Sequence, residues 1–435
     1  MRLNKAKVLS IKVDLAKRFT QSLVAKLHGV SRSIVSDIAT GRYHKDVPWP
    51  DGVAPPAKKA GGQRKVVDYD PTDERIMELE AEIVHLTDER NRERLKVKAG
   101  AKIAGLFRAI TKEMDQRIKP FTALPNAFKP RKKAEIVEHA VLHISDCHAD
   151  QVVVPESVGG LEAYNFPVAC RRAERLIDST IEWTQETLAP KFRFPVLWVL
   201  AYGDFSSGTI HKAAERSYYR NEFRNCLAIG QLHGLMIRDL ACYFEHVNCV
   251  YLSGNHGRLT PKKDFYGPTE NFDYLVAEIA RLHCKGLSNV SFLIPDAWSV
   301  CLDINGVGVQ VSHGDEVRSN GGLPWYAMVR RQKGLIALNS MQGGLRTRYF
   351  VMGHHHVNAS LADVDGELLV NGSWLGTDPF AFNALAGYRE PCQLLHGMNA
   401  RYGATWRLPI KLRSKGEGNG PRRYMIDRGR EVGPA

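Results

Sequence analysis

The sequence predicts an α/β protein preceded by a small all-α unit. Three observations carry this. Five short, apolar, β-branched runs between Ala140 and Met352 each end in a cluster of Gly, Asp, Asn or His. Longer stretches with helical spacing lie among them, the alternation expected of an α/β sheet. Ahead of them, residues 1–46 carry short helical patterns that meet at a glycine.

At 435 residues the chain has room for two or three units, one of them large enough for a full enzyme core. A hydrophobic fraction of 44% and a charged fraction of 25% are ordinary for a globular protein in water. No run approaches the roughly 18 apolar residues needed to span a bilayer, so no membrane partner is expected. Met1 to Lys5 lacks the apolar core of an export signal, which makes the cytoplasm the expected location. The eight cysteines are scattered without a C-x-x-C pair, as expected of reduced thiols. Net charge is +13, and the excess is uneven: through Asp70 there are 14 Lys and Arg against 6 Asp and Glu. That front-loaded charge points to a polyanionic partner.

Val8 to Phe19 reads as a helix with Leu9, Val13, Leu15, Ala16 and Phe19 on its apolar face. Between Ser22 and Ile38 two short helices meet at Gly29, where a tight turn needs a residue tolerant of positive φ. Ser31 is placed to cap the second helix, Ala25 is small where the helices cross, and Val30, Val35 and Ile38 supply a core. The run from Gly29 to Ile38, with the basic stretch Gly41 to Lys45 after it, resembles a helix-turn-helix module. That resemblance implies a second helix in the major groove of duplex DNA. Arg32, Ser33, Ser36 and Asp37 would face bases, and Arg42 and Lys45 would meet phosphate. A small helical protein-interaction module of the same shape is the alternative.

Residues 47–72 hold Pro48, Pro50, Pro55, Pro56, the Gly61-Gly62 pair, Lys58, Lys59, Arg64 and Lys65, the composition of a flexible basic linker. Thr72-Asp73-Glu74 opens a helix in which Ile76, Leu79, Ile83 and Leu86 keep heptad-like spacing until Arg90 and Glu93 interrupt it. Ile103, Leu106, Ile110 and Met114 resume the stripe. A homodimer stalk through residues 73–118 and a helix packed on the chain's own catalytic domain both satisfy this pattern. A basic connector, Lys119 to Lys133, completes the segment 73–134.

The strand at Ala140-Val141-Leu142 leads into Ser145-Asp146-Cys147-His148. Two apart on an extended chain, Asp146 and His148 would point the same way, a carboxylate and an imidazole suited to one divalent metal. A helix over Tyr164 to Trp183, with Ala169, Ala173, Leu176, Ile177 and Ile181 inward, should cover the sheet. Strand Pro195–Tyr202 ends in Gly203-Asp204, and a long helix over Glu222–Tyr243 leads to strand Cys249–Leu252 and Gly254-Asn255-His256. Strand Gly306–Val311 ends in Ser312-His313, and strand Arg348–Met352 in Gly353-His354-His355-His356. Ligands of α/β sheets bind at the carboxyl ends of strands, so five strand ends bring Asp, Asn and His to one expected edge.

Taken in order, Asp-x-His, Gly-Asp, Gly-Asn-His, His and Gly-His-x-His resemble the calcineurin-like metallophosphoesterase superfamily over Glu138 to Ser373. Val370-Asn371-Gly372-Ser373 resembles the strand that follows the last motif in many members. The resemblance implies a four-layer α/β/β/α sandwich with two divalent metal ions at one end. By position, Asp146, His148 and His356 would hold one ion and Asn255, His313 and His354 the other, with Asp204 between them. His256 would approach the leaving-group oxygen. Two such cations about 3.5–4 Å apart clamp phosphoryl oxygens and lower the pKa of a bridging water. Mixed imidazole, amide and carboxylate donors suit Mn, Fe, Zn or Ni better than Mg, and family analogy favours Mn.

Two departures stand out. Many members have Asp or His where this chain has Ser207, and an acidic residue where it has Gly257. His211 and Arg258 are the candidates to reach substrate in their place. The stretches Gly203–His211 and Gly254–Arg258 look closest to metallophosphoesterases encoded by bacteriophages and mobile elements, which would place the protein in a bacterial host cell. Pro379 to Pro391 reads as a loop beside the site, Trp406 to Lys411 as the final strand, and residues 411–435 as a flexible basic tail with Arg422, Arg423, Arg428 and Arg430.

The expectation is therefore a catalytic domain over 135–410 acting as a metal-dependent DNA phosphodiesterase, a nuclease brought to DNA by residues 1–46. A phosphomonoesterase, or a cyclic-nucleotide or RNA-end phosphodiesterase, is the rival within enzymes. A DNA-binding regulator with a degenerate phosphoesterase domain is the rival outside them.

Overall fold

In a computed structural model of the chain, Val8, Ile11 and Leu15 form the buried stripe of α1 (Lys5–Ala16), at the three- and four-residue spacing of a helix face. Leu9 is 41% exposed and Val13 half-buried, so the inward face is rotated from the one the sequence suggested; Phe19 lies outside the described residues. The described residues are 3–16, 21–44, 46–50, 86, 89, 105–125, 136–210, 217–260, 267–317, 323–364, 366–413 and 423–426. The chain divides into two compact units, residues 1–89 and 90–435.

In the first unit, α2 (Gln21–His28) and α3 (Arg32–Ala39) meet at Gly29, whose φ is +59°. The Ser31 side chain caps α3, accepting the backbone N–H of Ile34 at 3.4 Å. Val24, Ala25, Val35 and Ile38 close the core with the α1 stripe. Lys12 is buried there, its Nζ donating to the carbonyls of His44 and Val47 and lying 5.3 Å over the Trp49 ring. Val47 is buried and Trp49 packs on the same core, so 46–50 belong to this unit and a linker beginning at 47 is corrected. Lys58, Lys59, Arg64, Lys65 and the heptad positions Ile76, Leu79 and Ile83 lie outside the described residues.

In the second unit, residues 105–117 are helical (α4), with Phe107 buried and Ile110, Met114 and Ile118 against the main core. Leu106 is 53% exposed, so the inward stripe runs through Phe107 instead. This part of the predicted stalk packs on its own sheet domain.

The chain then runs through β1 (Ile136–Val137), β2 (His139–Ile144), α5 (Phe166–Ile181), β3 (Phe192–Arg193), β4 (Val196–Tyr202) and α6 (Glu222–Ala241). There follow β5 (His246–Leu252), α7 (Phe272–His283), β6 (Val290–Leu293), β7 (Ser299–Ile304), β8 (Val307–Ser312) and α8 (Trp325–Met341). Last come β9 (Thr347–Met352), β10 (Ala359–Asp363), β11 (Gly366–Val370), α9 (Pro379–Leu385), β12 (Cys392–Asn399) and β13 (Gly403–Lys411). One six-stranded sheet has the order β13-β12-β2-β4-β5-β6, and a five-stranded sheet has the order β10-β11-β9-β8-β7. From β2 to β6 the pairing is parallel.

Alternation along the strands explains the layering. Val141, Leu200, Tyr202, Val250 and Leu252 of one sheet meet Leu302, Val309, Val311, Tyr349 and Val351 of the other in a shared core. The opposite face of the six-stranded sheet is covered by α5, α6 and α7 through Ala169, Ala173, Leu176, Ile229, Leu232 and Val276. The α8 residues Met328, Leu335 and Ile336 pack with Phe350, Met352 and Leu368 on the far side of the five-stranded sheet. The fold is thus a mixed α/β, four-layer α/β/β/α sandwich.

Two further details differ from the sequence reading. Pro379–Leu385 is a helix, capped by the Asp378 side chain, rather than a loop. In the expected free tail, Tyr424 is buried in the main core, and Arg423 pairs with Asp178 at 2.7 Å and Asp239 at 3.4 Å. Arg422, Arg428 and Arg430 lie outside the described residues. All eight cysteines are free thiols. Among the described residues no helix is long and apolar enough to cross a membrane.

Candidate metal centre

Both sheets end at the same edge, and the loops after β2, β4, β5, β8 and β9 meet there. Asp146, His148 and His356 place one ligand atom each within 4.8 Å of one another, and so do Asp204, His313 and His354. His148, Asp204 and His256 form a third such group, which puts Asp204 between the first two. Asn255 joins through its Oδ1, 3.0 Å from Nε2 of His313. All seven positions carried over by resemblance therefore converge.

Strand alternation is not what aims them. Asp146 and His148 have φ of +52° and +41°, and Asp204, His354 and His356 have +54°, +65° and +53°. The extended geometry expected for Asp146 and His148 is corrected: each residue sits in a left-handed conformation past its strand. Such a conformation costs about 1–3 kcal/mol per non-glycine residue and persists only where surrounding bonds over-determine it. Those bonds are present. Both oxygens of Asp146 accept the His354 N–H, at 2.9 and 3.1 Å, and Ser145 Oγ donates to one of them at 2.6 Å. The Asp146 carbonyl accepts Ser373 Oγ at 3.0 Å, and Asn371 Nδ2 donates to Ser145 Oγ at 3.0 Å. A Cβ on Gly254 would stand 2.3 Å from Oδ1 of Asp204, so any side chain here would displace that carboxylate.

The donor set fits divalent cations. Nδ1 of His313 lies 2.8 Å from the Tyr202 carbonyl, which can only accept, so that nitrogen carries the hydrogen. Nε2 of His313 then faces Asn255 Oδ1 and, at 3.1 Å, Oδ2 of Asp204. Nε2 of His148 and His356 are 3.3 Å apart, with Asp146 Oδ1 3.4 Å from the latter. The donor atoms thus gather in groups of three, as ligands to cations do.

Charge is distributed accordingly. Burial would lower the His313 imidazole, but the Asp204 carboxylate holds it well above its usual range. Burial opposes His356 in the same way, and Asp146 raises it. Burial would raise Asp204, but His313 and His256 hold it well below the carboxylate range. His354 is pushed down to about 3 by burial and the His313 charge, and burial and His256 lower His148. A divalent cation would satisfy the same carboxylates while leaving the imidazoles neutral, as ligation requires.

His256 stands beside this group. Its N–H donates to Asp204 Oδ1 at 2.8 Å, its ring centroid is 4.6 Å from that of His148, and its Nδ1 is 3.1 Å from the Ser207 carbonyl. The backbone of residue 207 orients the imidazole, which explains how Ser can stand there. Gly257 has a reason too: a Cβ would lie 1.9 Å from Asn271 Oδ1, so an acidic side chain has no room. Arg258 Nε donates to the Asn255 carbonyl at 2.9 Å, a bond that fixes the loop carrying Asn255. His211 lies outside the described residues.

Sequence reasoning missed Asp273, in the first turn of α7. This fully buried carboxylate accepts the N–H groups of Asp204 and Phe205 at 2.8 and 3.1 Å, and that of Gly254 at 2.8 Å. Nothing local distinguishes it from a helix first-turn acid; only the fold brings it under two ligand loops.

In the first unit, Arg32 and Ser33 are exposed at the start of α3, and Ser36 is half-buried. Arg42 lies 3.9 Å from Asp37, so two expected DNA contacts face each other. Lys45 lies outside the described residues.

No protein-family model matches the sequence, and a search of curated proteins finds no significant relative. Among solved structures the chain is similar to an archaeal phosphodiesterase at 9% identity, covering 62% of this chain and 99% of that one with a TM-score of 0.28. It is similar to Vps29 from Entamoeba histolytica complexed with zinc at 12% identity, covering 63% and 99% with a TM-score of 0.27. It is also similar to a predicted phosphoesterase from Streptococcus pneumoniae at 8% identity, covering 62% and 98% with a TM-score of 0.24.

Proposed function

We propose that the chain is a calcineurin-like metallophosphoesterase acting as a DNA phosphodiesterase. The observation that carries the reading is the convergence of Asp146, His148, His354 and His356 with Asn255 and His313 around Asp204. Two divalent cations, Mn by preference, would supply positive charge at phosphoryl oxygens and lower the pKa of water there. Asp146, His148 and His356 would hold one, Asn255, His313 and His354 the other, and Asp204 both.

The chain's own groups do the rest. His256 stands beside Asp204 with Nδ1 on the Ser207 carbonyl, and its Nε2 would meet the leaving oxygen. Arg258 and Asp273 hold the Asn255 and Asp204 loops in register. No nucleophilic side chain is needed, since water suffices. DNA as the substrate class, and residues 1–46 as the part that delivers it, are supported by the uneven basic charge and by Arg32, Ser33 and Arg42 exposed on and after α3.

The test is cleavage of linear and circular, single- and double-stranded DNA with Mn, beside Asp204→Ala and His256→Ala. Cleavage lost in both variants supports the nuclease reading, and the circular substrate separates endonuclease from exonuclease action. Turnover of aryl phosphates with DNA left intact would replace it with the phosphomonoesterase reading.

A further inference from the structure

Behind His256 lies a buried polar network that the ligand set does not use. The Ser207 carbonyl accepts from Nδ1 of His256 at 3.1 Å. On the other side of the same residue, Ser207 N–H donates to Oδ1 of Asp150 at 2.7 Å. Asp150 is fully buried, and its Oδ2 accepts Asn225 Nδ2 at 3.0 Å. That amide also donates to Glu222 Oε2 at 3.1 Å. Ser206 Oγ donates to the other Glu222 oxygen and accepts Gly208 N–H at 2.9 Å. Residues 206–208 are therefore gripped by Asp150 and the first turn of α6. The grip reaches His256 directly, because a Cβ on Gly208 would stand 1.8 Å from the His256 carbonyl oxygen.

We propose that Asp150 is the positioning residue for His256, acting through the Ser207 peptide and braced by Asn225 and Glu222. The inference rests on the phosphoesterase reading above. In the step it serves, water forms the new P–O bond and releases a proton to solvent. The ester P–O bond breaks with its electron pair on the leaving oxygen. That oxygen takes the Nε2 proton of the His256 imidazolium, and the ring is left as the Nδ1–H tautomer that the Ser207 carbonyl already holds. Asp150 touches neither substrate nor cation; it sets where the imidazole points.

The experiment compares two esters. Bis(4-nitrophenyl) phosphate loses a stable phenolate that needs no proton, whereas a dinucleoside phosphate loses an alkoxide that does. With Mn-loaded full-length protein, Asp150→Ala is expected to lower dinucleoside phosphate hydrolysis about 10- to 100-fold more than aryl ester hydrolysis. Metal content per chain should be unchanged. Asp150→Asn, which keeps an acceptor for Ser207 N–H, should recover most of that loss. The double variant with His256→Ala should be no slower than His256→Ala alone. Where the ring is neutral, ¹⁵N shifts of His256 should report the Nδ1–H tautomer in the wild type and a mixture in Asp150→Ala.

Equal losses on both esters, or losses that multiply with His256→Ala, would overturn the proposal. If Asp150→Ala does not fold, Asn225→Ala decides between the same two outcomes. A wild-type protein that holds metal yet hydrolyses neither ester would overturn the phosphoesterase reading, and this inference with it.

Discussion

One oxygen of Asp273 accepts the backbone N–H of Asp204 at 2.8 Å and that of Gly254 at the same distance, tying the loops after β4 and β5 together. Asp273→Ala strands these two buried donors and that of Phe205, at about 1–3 kcal/mol each. A denaturant titration should show the loss. Burial and the Asp204 charge push the Asp273 carboxyl up to about 7. The folded chelator-treated protein then keeps a proton that the unfolded chain releases above about pH 4. Its stability should fall as pH rises from 4 towards 7, and Asp273→Asn should remove that component.

Metal uptake should be linked to proton release. His313 and His356 are raised by Asp204 and Asp146 against burial, so cation binding displaces protons from them. Affinity should increase with pH above about 6.5, and titration calorimetry in buffers of different ionisation enthalpy should show net proton release. The same shifts stabilise the chelated protein fully below about 6.5, and that contribution is lost as pH climbs through the folded-state values. An affinity flat between pH 6 and 8 would contradict the assignment.

Gly254→Ala should disable the centre without unfolding the domain. The new methyl lies 2.3 Å from Asp204 Oδ1 and 2.5 Å from its backbone nitrogen, so the shared ligand must move. Overpacking of this kind costs about 1–3 kcal/mol. Metal analysis should find fewer than two ions per chain, and hydrolysis should fall at least about 100-fold.

DNA binding by the full chain should weaken steeply with salt. Arg42→Ala should reduce the slope of log affinity against log salt by about 1, as loss of one phosphate contact does. Arg32→Ala, at the exposed start of α3, should instead relax discrimination between sequences. A mobility-shift series at several salt concentrations distinguishes them. No salt-dependent binding at all would count against the delivery role of residues 1–46.

The residues that converge at the edge were legible because they follow five strand ends, with a glycine or polar residue written beside them. Their aim was not legible: positive φ at Asp146 and His148 is imposed by Ser145, Ser373 and the His354 N–H, which are remote in sequence. Asp150, Asp273 and the Tyr202 carbonyl were invisible for the same reason. β12 hid because Cys392–Asn399 mixes Gln, His and Gly with its apolar residues, and it is buried along nearly its whole length rather than alternating. Tyr424 looked like part of a charged tail because its partners, Asp239 and the main core, belong to other segments.

The place of β12 beside β2 has a temporal meaning. β2 is the first strand of its sheet to leave the ribosome, yet one of its neighbours is β12, and Ser145 N–H, next to the first ligand, donates to Gln393 at a separation of 248 residues. At about 5–20 residues per second, translation leaves that strand edge unpaired for roughly 10–50 s. Through that interval the nascent chain carries an open, apolar template for misplaced pairing. Yield in the cell should therefore depend on chaperone supply and translation speed, and synthesis slowed before Cys392 should favour aggregation.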